Sequence, residues 1–271
     1  MATVILQDSE IAARRPSGAR ISERVQRLLW GGLFLLALFA AWQLEATFGL
    51  EPPILLPSPA EVVGAFGDFF SSPDILADFA ASGQEFLYGF LLATAVGIVL
   101  GLAIGWYVKL GYLVDPLVTF LYAIPRVALA PLLIVWLGIG MSSKVALVFL
   151  TSVFPVLINT SSGIRSLDSH LLRVARCFGA NDLQIFRTVA LPGSVPFILG
   201  GLRLAVGQAL IGVFVAELLG AQHGIGAMIE NAGQQFETAM VFCGLVIFAA
   251  AGMAFSALVR WLERHFDAWR V

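Results

Sequence analysis

Residues 173–192 read RVARCFGANDLQIFRTVALP, and the interpretation of this run decides how the rest of the chain is organised. It is too polar to span a bilayer and too regular to be a linker, and it lies between strongly apolar segments. Leu171, Leu172, Val174, Ala175 and Phe178 follow near-helical spacing, with Arg173 and Arg176 on other faces. Gly179 can adopt a left-handed backbone and so end a first short helix. Beyond it, Leu183, Ile185, Phe186 and Val189 alternate with Asp182, Gln184 and Arg187, and Pro192 is expected to close a second piece. The spacing predicts two short amphipathic helices anchored at both ends. Such a piece suits a membrane protein that passes force to a soluble partner. It also suits a loop lying on lipid headgroups, and spacing alone leaves both open.

Composition establishes the membrane. Of 271 residues, 59% are hydrophobic and 13% charged, against about 25% charged in soluble domains; the mean hydropathy is +0.88. The apolar runs are long and uninterrupted, which points to helices rather than to the alternation of a barrel. Cys177 and Cys243 are isolated, so reduced thiols are expected, and His170, His223 and His265 form no metal-ligand spacing.

Taken in order, residues 1–27 form a basic tail, and 28–48 a first span, read as an uncleaved anchor because the positions before Ala40 and Ala41 lack the small residues of a leader cleavage site. Residues 49–85 contain acids but neither Lys nor Arg. Ser58-Pro59-Ala60-Glu61 starts a short helix by its capping-box pattern, with Val62, Val63, Phe66, Phe69 and Phe70 as its apolar face. Ser72-Pro73-Asp74 starts a second, carrying Ile75, Leu76 and Phe79. Further spans are expected at about 86–108, 115–137, 144–163, 195–220 and 240–262, followed by a tail over 264–271. Gly89, Gly97, Gly101 and Gly105 make a small-residue packing stripe. Pro116, Pro125 and Pro131 should kink or break the span at 115–137. His223, Gly224, Gly226, Glu230 and Glu237 are read as a polar outer loop.

Six spans put both termini on one side, and the basic residues choose it. Arg14, Arg15, Arg20, Arg24, Arg27, Arg260, Arg264 and Arg270 lie in the tails or beside them. Lys109, Arg165, Arg173, Arg176 and Arg187 lie on the same predicted side, and the other side has only Lys144. This asymmetry predicts a cytoplasmic position for both tails and for residues 173–192, and favours the docking interpretation of that run.

The same run resembles the EAA loop of bacterial ABC-importer permeases, with Ala175, Gly179, Val189, Leu191 and Pro192 in register and Arg173-Val174 in place of the opening Glu-Ala. Neighbouring motifs narrow the resemblance to the nitrate/sulfonate/taurine/bicarbonate permeases: Ile124-Pro125-Arg126-Val127-Ala128-Leu129-Ala130-Pro131, Trp136-Leu137-Gly138-Ile139-Gly140, Phe154-Pro155-Val156-Leu157-Ile158-Asn159-Thr160, Leu191-Pro192-Gly193-Ser194, Gly201-Leu202-Arg203 and Ala216-Glu217. Where the family often has Ser-Leu-x-Arg, this chain has Ser82-Gly83-Gln84-Glu85.

The resemblance implies an all-α integral membrane protein with six transmembrane helices. It implies the type I ABC-importer permease fold over residues 82–263, with cytoplasmic coupling helices between spans four and five. It makes Arg173, Ala175, Arg176, Phe178, Gly179, Ala180, Phe186, Leu191 and Pro192 the ATPase-coupling loop. Implied partners are two ABC ATPase subunits, a second permease as a homodimer, a periplasmic or lipid-anchored solute-binding protein and the lipid bilayer, without nucleic acid and without a cofactor. Implied location is the bacterial cytoplasmic (inner) membrane, and implied cargo a small organic or inorganic anion such as a sulfonate, nitrate or bicarbonate. The chain has no GxxxxGK[ST] pattern of its own, in keeping with a transport subunit that leaves ATP hydrolysis to other chains.

Polar groups at membrane depth complete the candidates. Arg126 costs about 2.5–3.5 kcal/mol near the bilayer centre, so it should face the bundle interior, either lining an anion path or binding carbonyls freed beside Pro125. Asn159, Gln208 and Glu217 are pathway or interhelical hydrogen-bonding candidates, and Glu217 would pair with Arg126 only if the fold joins them. An ion-coupled secondary transporter is the other functional class, although its usual inverted repeats are not evident. An intramembrane enzyme would need a catalytic pair that the sequence lacks.

Overall fold

The computed structural model of the chain describes residues 23–49 and 55–266, and among these there is no strand. The tail residues Arg14, Arg15, Arg20 and Arg270, and also Glu51, lie outside the described residues. The chain divides into two units, residues 1–59 and 60–271. In the first, α1 (Glu23–Phe48) is long and apolar enough to cross a membrane over Leu29–Phe48. The indole N–H of Trp42 donates to the carbonyl of Pro57 at 2.9 Å, tying the last turns of the helix to the segment that follows.

The second unit opens within α2 (Pro59–Ser71), which buries Val62, Ala65 and Phe69 but leaves Val63 and Phe70 exposed. Next comes α3 (Ile75–Trp106), one continuous helix of 32 residues. The short helix expected from Ser72 is therefore not separate: Ile75, Leu76 and Phe79 form the first turns of the span. The polar run Ser82-Gly83-Gln84-Glu85 resembled a boundary, but Ser82 and Glu85 are buried and bonded to other helices, so the helix passes straight through it.

The third span is broken. α4 (Val108–Ala123) and α5 (Ala130–Leu137) flank a 3-10 turn, Arg126–Leu129, and the two limbs meet at 83°. Of the three prolines, Pro116 rides inside α4. Pro131 occupies the first turn of α5, where its missing N–H is harmless. The break falls at Pro125, which holds Ile124 extended at φ −69°, ψ 133°.

α6 (Met141–Arg165) leads into α7 (Ser169–Cys177) and α8 (Asp182–Ile185). A π turn, Phe186–Ala190, then joins α8 to α9 (Leu191–Leu218). Pro192 does not close the second loop piece. It sits in the first turn of α9, and helix continues from Asp182 to Leu218. The expected polar outer loop is also largely helical: α10 (Ile225–Gln234) buries Ile225, Gly226, Ala227, Ile229 and Ala232. α11 (Thr238–Phe266) ends the described chain. Among the described residues five helices are long and apolar enough to span, and the bent α4–α5 pair, taken as one span, makes six.

Three helices form the centre. On α3, Gly89, Gly97, Gly101 and Gly105 abut Val148, Val156, Thr160 and Ile164 of α6; a Cβ on these glycines would lie 2.5, 2.8, 2.7 and 2.7 Å from the partner's Cβ. Each partner stands 59 positions later in the chain, so the helices run parallel and in register along the whole stripe. α9 returns antiparallel, with Gly163 against Phe197, Gly201 against Asn159 and Gly212 against Thr151 and Val148. Small residues permit this close approach of backbones, which is what holds helices together where lipid offers no hydrophobic incentive.

Candidate functional site

The loop between α6 and α9 is built by local rules. Asp168 caps α7 by accepting from the His170 amide at 2.7 Å. At the other end, the Ala180 amide donates to Ala175 O at 3.1 Å and the Gly179 amide to Arg176 O at 2.9 Å, while Gly179 takes φ +82°. This is a Schellman ending; it explains physically why an alanine and a glycine stand four positions apart here. Asn181 and Gln184 then form a reciprocal capping box, each side chain accepting from the other's backbone amide at 2.9 and 2.8 Å. The sequence pattern above does not single out this box, although Asn-x-x-Gln spacing is its signal. Arg176 reaches Asp182 across the turn at 3.6 Å, and Arg173 donates to Ser169 at 3.3 Å; both arginines are exposed.

The apolar positions of α7 do not form a buried face, since none of its residues is buried. Phe178 is 88% exposed, and Leu171, Val174 and Leu183 are exposed with it. An apolar stripe on a polar loop, with no covering segment among the described residues, has the character of an interaction surface. The root of the loop is firm by contrast. Ile185 and Ala190 are buried, and the Phe186 ring meets Trp106 of α3 edge-on at 5.2 Å. A cleft of about 480 Å³ opens beside it, lined by Trp106, Lys109, Leu172, Arg176 and Asp182 among others. Leu191 and Pro192 are half-buried at the start of α9.

Arg126 lies in the turn at the bend of the broken span. Its guanidinium sits over the Tyr122 ring at 4.7 Å and faces Phe154 of α6 at 5.9 Å. Of the carbonyls beside it, Pro125 O is taken by the Ala128 amide at 2.8 Å. Cation–π contact thus replaces the carbonyl contacts considered from sequence, and Arg126 Nη1 is buried without a hydrogen-bond partner.

Glu217 does not pair with Arg126. Fully buried at the end of α9, it accepts from Ser82 Oγ at 2.6 Å and from the Gly226 amide at 2.7 Å. Beside it Glu85, also fully buried, binds Lys144 Nζ at 2.6 Å. Lys144, which the sequence leaves as the basic residue of that side, is therefore the counter-ion of the unusual acid at position 85. They too lie 59 positions apart, one step beyond Gly89 and Val148 on the same seam. Asn159 donates within its own helix to Pro155 O at 2.8 Å and packs on Gly201. Gln208 is half-buried in α9.

The family model described as the binding-protein-dependent transport system inner membrane component matches residues 60–270. The chain belongs to that family. It is 37% identical, over 88% of its length and 87% of the relative's, to the putative aliphatic sulfonates transport permease protein SsuC of Bacillus subtilis (strain 168). It is 30% identical, over 87% of both, to the taurine transport system permease protein TauC of Escherichia coli (strain K12). It is also 35% identical, over 92% and 96%, to the riboflavin transport system permease protein RibX of Chloroflexus aurantiacus. Among solved structures, a bacterial alginate ABC transporter in complex with a pentasaccharide-bound periplasmic protein aligns at TM-score 0.61 and 17% identity, over 97% of this chain and 96% of that one. The MetNI methionine ABC transporter in an inward-facing form aligns at TM-score 0.56 and 17% identity, over 70% and 98%; at these identities the likeness is one of fold. The permease is a transport subunit of an ABC importer, not an enzyme, with the type I permease fold. The family decides against the ion-coupled carrier.

Proposed function

We propose that this permease forms half of the translocation pathway of an ATP-driven importer for a small anion, in the bacterial inner membrane with both termini cytoplasmic. A second copy of the chain supplies the other half. Two ATPase subunits grip the α7–α8 loops from the cytoplasm, and a periplasmic or lipid-anchored binding protein delivers the solute. The observation that carries this reading is the exposed apolar stripe of Leu171, Val174 and Phe178 on a loop whose second piece, from Asp182, passes without interruption into a span. The stripe gives an ATPase something to hold. The capping box, the Phe186–Trp106 contact and the continuous helix from Asp182 to Leu218 give it something to push, so closure of the ATPases biases the permease between two packed states. Names of the sulfonate and taurine relatives support an anion, as does Arg126 with its buried, unbonded Nη1. The riboflavin relative widens the range of cargo within the family.

The test is co-purification of an ATPase from native membranes in mild detergent. Phe178→Ala should abolish it without loss of folded permease, because the side chain is 88% exposed and its removal opens no cavity. Gly179→Pro should do the same by forbidding φ +82°. An ATPase that stays bound to both variants refutes the docking role of the loop.

A further inference from the structure

The three N–H groups at the start of α10 are all bound by side chains from other helices. Gly224 N–H donates to Asp78 Oδ1 at 2.9 Å, Ile225 N–H to Ser82 Oγ at 2.9 Å and Gly226 N–H to Glu217 Oε2 at 2.7 Å. Ser82 in turn donates to Glu217 Oε1 at 2.6 Å, so one hydroxyl links α3, α9 and α10. The approach is tight: at Gly224, which has φ +135°, a Cβ would stand 2.2 Å from Glu217 Oε1. Glu217 and Glu85 are fully buried, Glu85 Oε1 binds Lys144 at 2.6 Å, and Glu85 Oε2 has no hydrogen-bond partner. Apolar side chains would pack these helices together with less desolvation, so a buried polar cluster here specifies one arrangement rather than adding adhesion.

The cluster caps a body whose other end is the α7–α8 loop. α6 and α9 flank that loop in sequence, and the glycine seams fasten α3 to α6 and α6 to α9 along their lengths. We propose that Ser82 and Glu217 are positioning residues: by holding the first amides of α10, they make α10 the far end of the rigid body that starts at the loop, so that movement of the loop is delivered to α10. Asp78, 13% exposed and also within 3.6 Å of His223, is the outer and weaker member of the clasp. The proposal rests on the importer reading for its source of motion, and the geometry of the clasp stands apart from it.

Two measurements on Ser82→Ala separate those layers. In the purified permease, hydrogen exchange across residues 223–229 reads the tie itself. Loss of the shared hydroxyl should speed exchange at Ile225 by about five- to thirty-fold, the factor expected for losing one such bond. In the assembled transporter in proteoliposomes, with taurine as the probe, taurine imported per ATP hydrolysed reads coupling, which should fall several-fold at an unchanged amount of complex. Glu217→Gln keeps an acceptor oxygen for Gly226 and should retain near-wild-type coupling, whereas Glu217→Leu should not. Should Glu217→Leu fail to assemble, Ser82→Ala alone decides between the outcomes. A Ser82→Ala transporter with wild-type coupling overturns the proposal, as does unchanged exchange at 223–229. Wild-type vesicles without ATP-driven taurine uptake overturn the small-anion reading instead, with the exchange result still deciding whether the clasp exists.

Discussion

Gly101→Ala is the sharpest probe of the α3–α6 seam. A methyl at that position would lie 2.7 Å from Thr160 Cβ and 2.8 Å from the carbonyl oxygen of Leu157. Neither atom can rotate away, because one is fixed to a helical backbone and the other belongs to it. Ordinary carbon contacts sit at about 3.5–4.0 Å, so the helices must part by roughly 1 Å or the seam must shear. Overpacking of this kind costs about 1–3 kcal/mol. Gly83→Ala is the control on the same helix: its methyl meets nothing within 4 Å, and the exchange of Gly for Ala in a helix gains up to about 1 kcal/mol. The propensity gain is common to both variants, so they should differ by the overpacking cost of about 1–3 kcal/mol, with Gly83→Ala the more stable. Thermal unfolding of the purified permease, followed by fluorescence-detected size exclusion after heating, reads that difference. Equal midpoints for the two variants would refute the claim that backbone contact along this seam holds α3 and α6 together.

Two further outcomes are expected. A membrane-impermeant maleimide should label exposed Cys177 only from the cytoplasmic face, and should leave buried Cys243 unlabelled in folded protein; labelling of Cys177 from outside would reverse the orientation and remove the loop from the ATPase. Arg126→Ala in an assembled transporter should weaken anion uptake about ten- to a hundred-fold, the span of one charge-assisted hydrogen bond, and unchanged uptake and selectivity would remove Arg126 from the path.

What the sequence disclosed and what it hid follow from the range of the forces involved. The split of the loop at Gly179 was legible because a Schellman ending is local, needing only a helix, a glycine and the residues beside them. The glycine stripe was legible for the same reason. The start of α3 was not, because Ser82 and Glu85 are stabilised by Glu217 and Lys144, partners 135 and 59 positions away. α10 was hidden likewise: a Gly-rich polar stretch reads as loop until Asp78 and Ser82, more than 140 positions earlier, arrive to bind its first amides. Arg126 could be recognised as unusual from its depth, but the Tyr122 and Phe154 rings that hold it depend on the bend at Pro125. Exposure of the α7 stripe was beyond reach in principle, since helical periodicity marks an apolar side without saying which chain covers it.

The π turn at Phe186–Ala190 accommodates one residue more than an α-helical turn would. In an α-helix a single residue turns the axis by about 100°. The heading of α8 relative to α9 is thus set by residue count as well as by contact. Phe178 and its neighbours point where they do partly because of that one surplus residue, and a chain shortened by one there would keep every side chain of the exposed stripe while aiming it at a different quarter.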